Sequence, residues 1–433
     1  MAQTADVALI GGGIIGMACA YEIARQDETK RVVVFDKQGL GNGTTGGSAG
    51  VICPVELGEI YALMNVVGYG RIRELARDHG LRFTQWGQLD LIYEPRTFPP
   101  PPNRYASLFD SRDRDGFYVT EVLEQKDVLR RYPWLRAEAM SADGPRRLLG
   151  GVLYPTRGFI NPYELVALYQ ELVAATGRVD VYPGTPVLEL RQSGGRIQRL
   201  VTRRGPWDVG QVVNTAGPWG RKVAALAGSD MALTPQRIQV CVATAFDDGV
   251  DQYPLGGIGE SVQGQGVWCR GELGGTLLFG QHHHVTRPGI VDDPDHVNRL
   301  NDDDYPDAVA RTYRRYLDLP KSTFHNGWCC VYGTTQDGYP IICRDVAVEN
   351  LYHALGMNGH GIVMHASVGM SVAELVLRDS PRTDLSGALD APFTLDVSRL
   401  DMDRFRRNEL LDFDIHLADL AEMTNGQREV AGT

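Results

Sequence analysis

The sequence predicts an α/β protein of two or three domains. Three observations carry that prediction. Residues 6–36 alternate strand, glycine turn, helix and strand. The chain has 433 residues, and one hydrophobic core commonly serves no more than ~250–300. Residues 231–329 are rich in short strand patterns and glycine.

Residues 6–10 (DVALI) form a short apolar run, the first strand. The glycine-rich 11–16 (GGGIIG) follows, and then 17–25 with helical spacing of apolar residues. Residues 31–36 (RVVVFD) are β-branched and read as the second strand. A switch from strand to helix periodicity across a glycine turn marks a βαβ unit. Residues 37–50 are rich in Gly, Ser and Thr and form a loop, followed by a helical stretch at 57–79 and a strand pair at 83–92. Pro99 to Pro102 belong to an exposed loop, because consecutive prolines fit neither a central strand nor a helix interior. Asn161 and Pro162 cap a helix over 164–176. Strands are expected at 179–190, 196–202 and 209–213, a short helix near 302–317, and a long apolar helix at 362–377. Beyond about 409 the pattern reads as an amphipathic helix with a polar end.

The first turn carries chemistry. Gly11, Gly13 and Gly16 have the GxGxxG spacing, directly after a strand and opening a helix. Gly11 permits the tight turn, Gly13 lets backbone approach a pyrophosphate, and Gly16 lets helix and strand pack closely. The helix start offers free N–H groups and a positive dipole end to phosphates. Asp36 closes the next strand, where its carboxylate can accept from ribose hydroxyls. A purely structural glycine turn is the competing reading, and the motif alone does not separate FAD from NAD.

Composition narrows the partners. A net charge of −11 disfavours nucleic acid and anionic membrane surfaces. The seven cysteines, at 19, 53, 241, 269, 329, 330 and 343, show no zinc-type CxxC pairs and no disulfide framework. No secretory signal is apparent, and no apolar run approaches the ~20 residues of a membrane span. A cytoplasmic protein without a membrane span is expected.

Four later segments extend the reading. Residues 43–52 (GTTGGSAGVI), 212–219 (VVNTAGPW), 335–340 (TQDGYP) and 356–362 (GMNGHGI) occur in the order found in the D-amino-acid oxidase family. Over residues 6 to about 378 the chain resembles that family of FAD-dependent enzymes, especially its glycine and sarcosine oxidases. The resemblance implies a Rossmann-like FAD-binding domain of the GR2 type with a second mixed-sheet substrate domain. The first would comprise 1–85, 150–226 and 330–390, and the second 86–149 and 227–329, leaving 391–433 as a C-terminal extension. FAD contacts are implied at Ile14, Ile15, Lys37 and Val187 beside the glycine turn. They are implied at Thr44, Thr45, Ser48, Ala49, Gly50 and Val51 in the second loop. They are implied again at Gly359, His360, Gly361 and Ile362, where a helix N-terminus faces the flavin's N1–C2=O edge. An ordinary glycine loop before a core helix is the plainer reading of that last motif.

Residues 330–337 (CVYGTTQD) resemble the segment of monomeric sarcosine oxidases whose cysteine carries covalent FAD, which would fall on Cys330. A buried apolar cysteine is the competing reading. His282, in the run 281–284 (QHHH), aligns with the sarcosine-oxidase active-site histidine and suits a proton acceptor. A plain surface loop is the competing reading, and a metal cluster is disfavoured, because adjacent strand residues point to opposite faces and no acidic cluster accompanies them. Tyr332 matches the sarcosine-oxidase tyrosine, where other members place a carboxylate-clamping arginine. Val363, Gly50 and Cys53 stand where sarcosine oxidases carry anion-binding cations, and Leu278 where they carry an oxygen-activating lysine. Arg270 is the candidate replacement clamp, with a solvated strand residue as the competing reading, and Trp268 is a candidate apolar wall or a plain core residue.

The expected reaction is hydride transfer from an amine-bearing carbon to flavin N5, followed by hydrolysis of the imine. The substrate would be an amine or amino acid, and O2 or an electron carrier would take the electrons. A 2-hydroxy-acid or polyol dehydrogenase, a flavoprotein electron-relay subunit and an NAD-only enzyme are the alternatives.

Overall fold

The computed structural model describes residues 3–53, 58–94, 98–100, 116, 119–141, 144–244, 253–258, 267–272, 274–281, 289–389 and 392–411. Their strands form two large sheets. In the first, the strands Val179–Tyr182, Val32–Phe35, Gln3–Ile10, Gly205–Asn214 and Leu351–Leu355 all run parallel. The expected βαβ unit is present as Gln3–Ile10, the helix Ile14–Gln26 and Val32–Phe35. All four residues of Val32–Phe35 are buried, as a parallel strand covered on both faces requires. Arg196–Thr202 and Val187–Ser193 extend the sheet in antiparallel fashion. The single strand expected at 179–190 is divided there. Gly184 turns the chain with φ +63°, so Val179–Tyr182 and Val187–Ser193 lie at opposite edges of the sheet.

Four helices bury one face of this sheet: Ile14–Gln26, Glu59–His79, Pro162–Ala175 and Gly361–Arg378. Their closeness depends on missing side chains. A Cβ on Gly68 would strike the Val363 carbonyl, and one on Gly369 would lie 2.9 Å from the Ala18 carbonyl. Asn161 caps its helix as expected, accepting from the Tyr163 N–H at 2.9 Å, with Pro162 in the first turn. The helix Gly361–Arg378 is long and apolar enough to cross a bilayer, but most of it is buried as core of this domain. On the opposite face Phe35, Tyr182 and Trp207 pack ring against ring.

The second sheet is mixed. Its order is Thr323–Thr334, Thr234–Thr244, Thr276–Gln281, Val267–Glu272, Leu255–Ile258, Gln88–Tyr93, Gly144–Tyr154 and Glu121–Glu124. Only the Leu255–Ile258/Gln88–Tyr93 pair within it is parallel. The helix Tyr305–Tyr313, the piece expected near 302–317, covers one face through Tyr313, Phe279 and Phe324. Gly144–Tyr154 runs across the expected domain boundary at 149/150, and Thr323–Thr334 across that at 329/330. A small sheet of Val51–Ile52, Gly158–Ile160 and Phe83–Thr84 joins the two halves. The helix expected beyond 409 falls almost entirely outside the described residues.

One buried histidine makes the helical layer sensitive to acid. His365 meets Tyr169 edge to face at 5.2 Å, and its Nδ1 donates to the Ile362 carbonyl at 2.7 Å. Its Nε2 has no hydrogen-bond partner among the described residues. Burial pushes its pKa from 6.5 to about 4. A depressed value favours the neutral form, so this stabilisation is complete above pH 6.5 and is lost as pH falls toward 4. His365→Leu is expected to flatten the fall of the denaturation midpoint between those two pH values. Urea titrations of both proteins across that window measure it.

Candidate cofactor and active site

The site lies where parallel strands end. Ile10, Phe35 and Asn214 stand side by side at the C-terminal ends of three neighbouring strands. The glycine turn, Asp36 and Thr215 therefore emerge together, the usual place for a ligand in an open α/β sheet. Gly11 has φ +118°, and a Cβ on it would enter the Thr215 backbone. Thr215 closes the turn, its hydroxyl donating to the Gly11 carbonyl at 2.9 Å. A Cβ on Gly16 would strike the Gly11 carbonyl, so helix and turn touch backbone to backbone. Gly13 differs from both: a Cβ there would meet only Thr45 Oγ1, at 3.1 Å, and Gly13 lines a cavity.

That cavity has a volume of about 350 Å³. Asp36, Lys37, Thr185 and Val187 line one end, and Tyr332, Gly359, Gly361 and Ile362 line the other. Gly11, Ile14, Ile15, Thr44, Thr45 and Ser48 line it between. Two helix N-termini contribute to its wall. Neither Ile14–Gln26 nor Gly361–Arg378 has a side-chain cap on its capping residue or an acid in its first turn. Their positive dipole ends are thus left for an anionic ligand. Asp36 is oriented by the N–H groups of Gly12 at 2.8 Å and Gln38 at 2.7 Å. A carboxylate has about four acceptor positions, so it keeps capacity for hydroxyls in the cavity.

The far end is a double hinge. Asn358 sits at φ +48° and ties two turns together. Its side chain accepts from the Thr335 N–H at 2.9 Å and donates to the Gly338 carbonyl at 2.7 Å. Below it, buried Arg404 grips buried Asp337 with two hydrogen bonds, at 2.7 and 2.9 Å, and reaches the Tyr339 carbonyl at 2.9 Å. Arg404 comes from the expected C-terminal extension.

Other expected contacts lie behind the cavity wall. Gly16, Ala49, Gly50, Val51, Cys330 and His360 are not among the lining residues. Gly50 (φ +66°) and Val51 lead into the small joining sheet. His360 stands against Tyr61 at 6.3 Å. Cys330 is buried beside Gly47, and burial pushes its thiol up to about 12. Along the strand, Trp328, Cys330 and Tyr332 share one face. Trp328 Nε1 donates to the Gly47 carbonyl at 2.8 Å, and a Cβ on Gly359 would lie 2.7 Å from the Tyr332 ring. Cys329 points the other way, within reach of Arg237 at 3.2 Å. Desolvation lifts the Tyr332 phenol well above its ordinary 10, so it remains a neutral hydroxyl.

Arg270 is buried behind the second loop. Its Nε donates to the Ala49 carbonyl at 2.9 Å, and its Nη2 to Glu272 at 2.9 Å. Its guanidinium lies 4.0 Å from the centre of the Phe159 ring. Trp268 pairs with Gly280 across the sheet, and a Cβ on Gly280 would enter the indole. His282 lies outside the described residues. Among the described residues no group of His, Cys, Asp or Glu is placed to hold a metal.

Residues 6–375 match the family model described as FAD dependent oxidoreductase (DAO). The chain belongs to the DAO family of FAD-dependent oxidoreductases. It is 24% identical over 423 residues to glycine oxidase of Geobacillus kaustophilus, covering 91% of this chain and 97% of that one. It is 25% identical over 401 residues to peroxisomal sarcosine oxidase of Homo sapiens, covering 90% and 95%. The fold matches the crystal structure of L-proline dehydrogenase from P. horikoshii with a TM-score of 0.74 at 21% identity, over 95% of this chain and all of that one.

FAD is the cofactor of this family, and the cavity fits it. The bare Gly13 and the Ile14–Gln26 helix, whose first N–H donates to Thr45 Oγ1 at 3.2 Å and whose first turn holds no acid, suit a pyrophosphate. Asp36 suits a ribose, and the second helix suits the electron-rich edge of a flavin.

Sequence reasoning missed the residues that close the site from a distance. Lys222 and Asp295 line the cavity beside Trp219 of the 212–219 motif, and Trp328 holds the second loop. Asn358 had a local signal, since it lies in a glycine-flanked hinge whose geometry requires a positive φ.

Gly13 has φ −75°, a conformation open to any residue, so a side chain there blocks the ligand without straining the backbone. Gly13→Val is expected to weaken FAD binding on the order of a hundredfold with an unchanged circular dichroism spectrum. Titration of the apoprotein with FAD, read by flavin fluorescence, measures it.

Proposed function

We propose that the protein oxidises the C–N bond of an amine or N-substituted amino acid. The observation that carries this reading is Tyr332, a neutral phenol that lines the cavity beside Gly359, on the strand face whose Trp328 holds the second loop through the Gly47 carbonyl. Bound FAD supplies the hydride acceptor, so the substrate leaves as an imine that water hydrolyses. The chain's residues bind and orient the amine and take its proton. His282 is the proposed proton acceptor, since a neutral imidazole titrates near working pH. Tyr332 donates a hydrogen bond from a hydroxyl that stays protonated. Arg270 acts at one remove, because its donors already hold Ala49 and Glu272. In this role it positions the loop of the flavin site rather than clamping a carboxylate.

The names of relatives and structural neighbours include oxidases and a dehydrogenase, so O2 or an electron carrier serves as the final acceptor in this reading. Anaerobic photometry with secondary amines, D- and L-amino acids and 2-hydroxy acids tests the proposal. Amines or amino acids are expected to bleach the flavin, and His282→Ala to slow bleaching by roughly a hundredfold or more. Bleaching by 2-hydroxy acids alone would move the assignment to a hydroxy-acid dehydrogenase.

Cys330 is also the proposed point of flavin attachment. It shares the Tyr332 face, whereas Cys329 is turned toward Arg237. Attack would require the thiolate. The new C–S bond would replace a C–H bond of the flavin 8-methyl group, with the two electrons held by the flavin until O2 removes them. Attachment should therefore accelerate as pH rises toward about 12. Acid-precipitated protein is expected to stay yellow, in the wild type and in Cys329→Ser alike. In Cys330→Ser the flavin should pass into the supernatant.

A further inference from the structure

A strap from the second sheet crosses the nucleotide end of the cavity. It begins at the edge of Thr234–Thr244, where the Val291 N–H donates to the Pro235 carbonyl at 3.0 Å. Residues 292–296 then leave the sheet, and the chain returns at Asn298, whose carbonyl accepts from Arg237 Nε at 2.9 Å. Arg237 also pairs with Asp302 at 3.0 Å, so one side chain anchors the returning limb.

Asp295 stands at the tip. Its carboxylate accepts from Trp219 Nε1 at 2.8 Å and from Lys222 at 2.7 Å, and it pairs with Lys37. Asp293 accepts from the Asp295 N–H at 2.8 Å and pairs with Lys222, which orients the tip. The Lys37 ammonium lies 3.9 Å from the centre of the Trp219 ring. Lys37, Trp219, Lys222 and Asp295 all line the cavity. Three donors therefore come from segments that follow strands of the first sheet, Lys37 from a loop and Trp219 and Lys222 from the helical turns after Gly205–Asn214, and one carboxylate from the strap.

We infer that Asp295 is a cofactor-retaining residue that ties the strap across the nucleotide half of bound FAD. It also positions Lys37 and Trp219 as the outer wall of that half. An isolated surface ion pair contributes little, but here one carboxylate collects three donors across a cavity mouth. Burial alone would raise the Asp295 carboxyl, yet the hydrogen bonds from Lys222, Lys37 and Trp219 outweigh it and hold it well below the usual carboxylate range. The tie stays charged at any working pH. Its side chain is 40% exposed, so dissolved salt reaches and screens it.

The test follows FAD release by flavin fluorescence from the Cys330→Ser holoprotein, in which a sulfur–flavin bond is excluded. Asp295→Asn keeps the shape and the Trp219 hydrogen bond but removes the charge. It is expected to release FAD on the order of tenfold faster at low ionic strength. Added salt should accelerate release from the parent and leave the variant unchanged. Equal release rates, or equal salt acceleration in both proteins, would overturn the inference. Should Cys330→Ser fail to retain FAD, the same comparison is made by reconstituting Cys330→Ala apoproteins with and without Asp295→Asn. Weaker, salt-insensitive binding by the variant supports the tie, and unchanged affinity refutes it.

Discussion

Two helices must arrive at one cavity with no cap from their own capping residues and no acid in their first turns, and the rest of the site follows from that. A side-chain cap or an early acid would satisfy the free N–H groups and cancel the positive end of the dipole. Ile14–Gln26 and Gly361–Arg378 have neither on their capping residues or first turns. They also pack on each other closely enough that Gly369 rests on the Ala18 carbonyl, and Gly68 brings a third helix against Val363. The glycines of the core and those of the cavity thus serve one arrangement. Core glycines set the distance between helices, and cavity glycines keep their ends open to a ligand.

The mixed sheet holds this arrangement closed from outside. Trp328 reaches the Gly47 carbonyl, Thr44 the Val331 carbonyl, and Arg270 the Ala49 carbonyl. Each contact joins the loop after the second strand to the mixed sheet. The loop is therefore fixed on both sides before any substrate arrives, which is what preorganisation of a flavin site requires.

The parts legible in the sequence are those with local causes. The βαβ unit showed in its change of period, the turn in the GxGxxG spacing, and the capped helix in Asn161 and Pro162. Each needs only a short stretch of chain. The single strand expected at 179–190 divides because Gly184 turns the chain in its middle, a signal that strand-like neighbours masked. The long-range contacts left no pattern. Asp295 meets Lys37 across 258 positions, and Trp328 meets Gly47 across 281. A charged or aromatic residue in a loop looks alike whether it faces solvent or a partner brought in by the fold. Arg270 was legible as a candidate carboxylate clamp, but its burial and its partner carbonyl at Ala49 were not, since a backbone acceptor has no sequence signature.

Arg404 lies beyond the stretch matched by the family, yet it is the counter-ion of Asp337 in the hinge under the cavity. A carboxylate at that depth is strongly destabilising without its partner. During synthesis the nucleotide turn emerges first and the hinge more than three hundred residues later, but the hinge stays electrically incomplete until residue 404 has left the ribosome. The prosthetic group therefore meets a finished seat only after translation has passed that point, and a nascent chain stalled before it would present a half-built one.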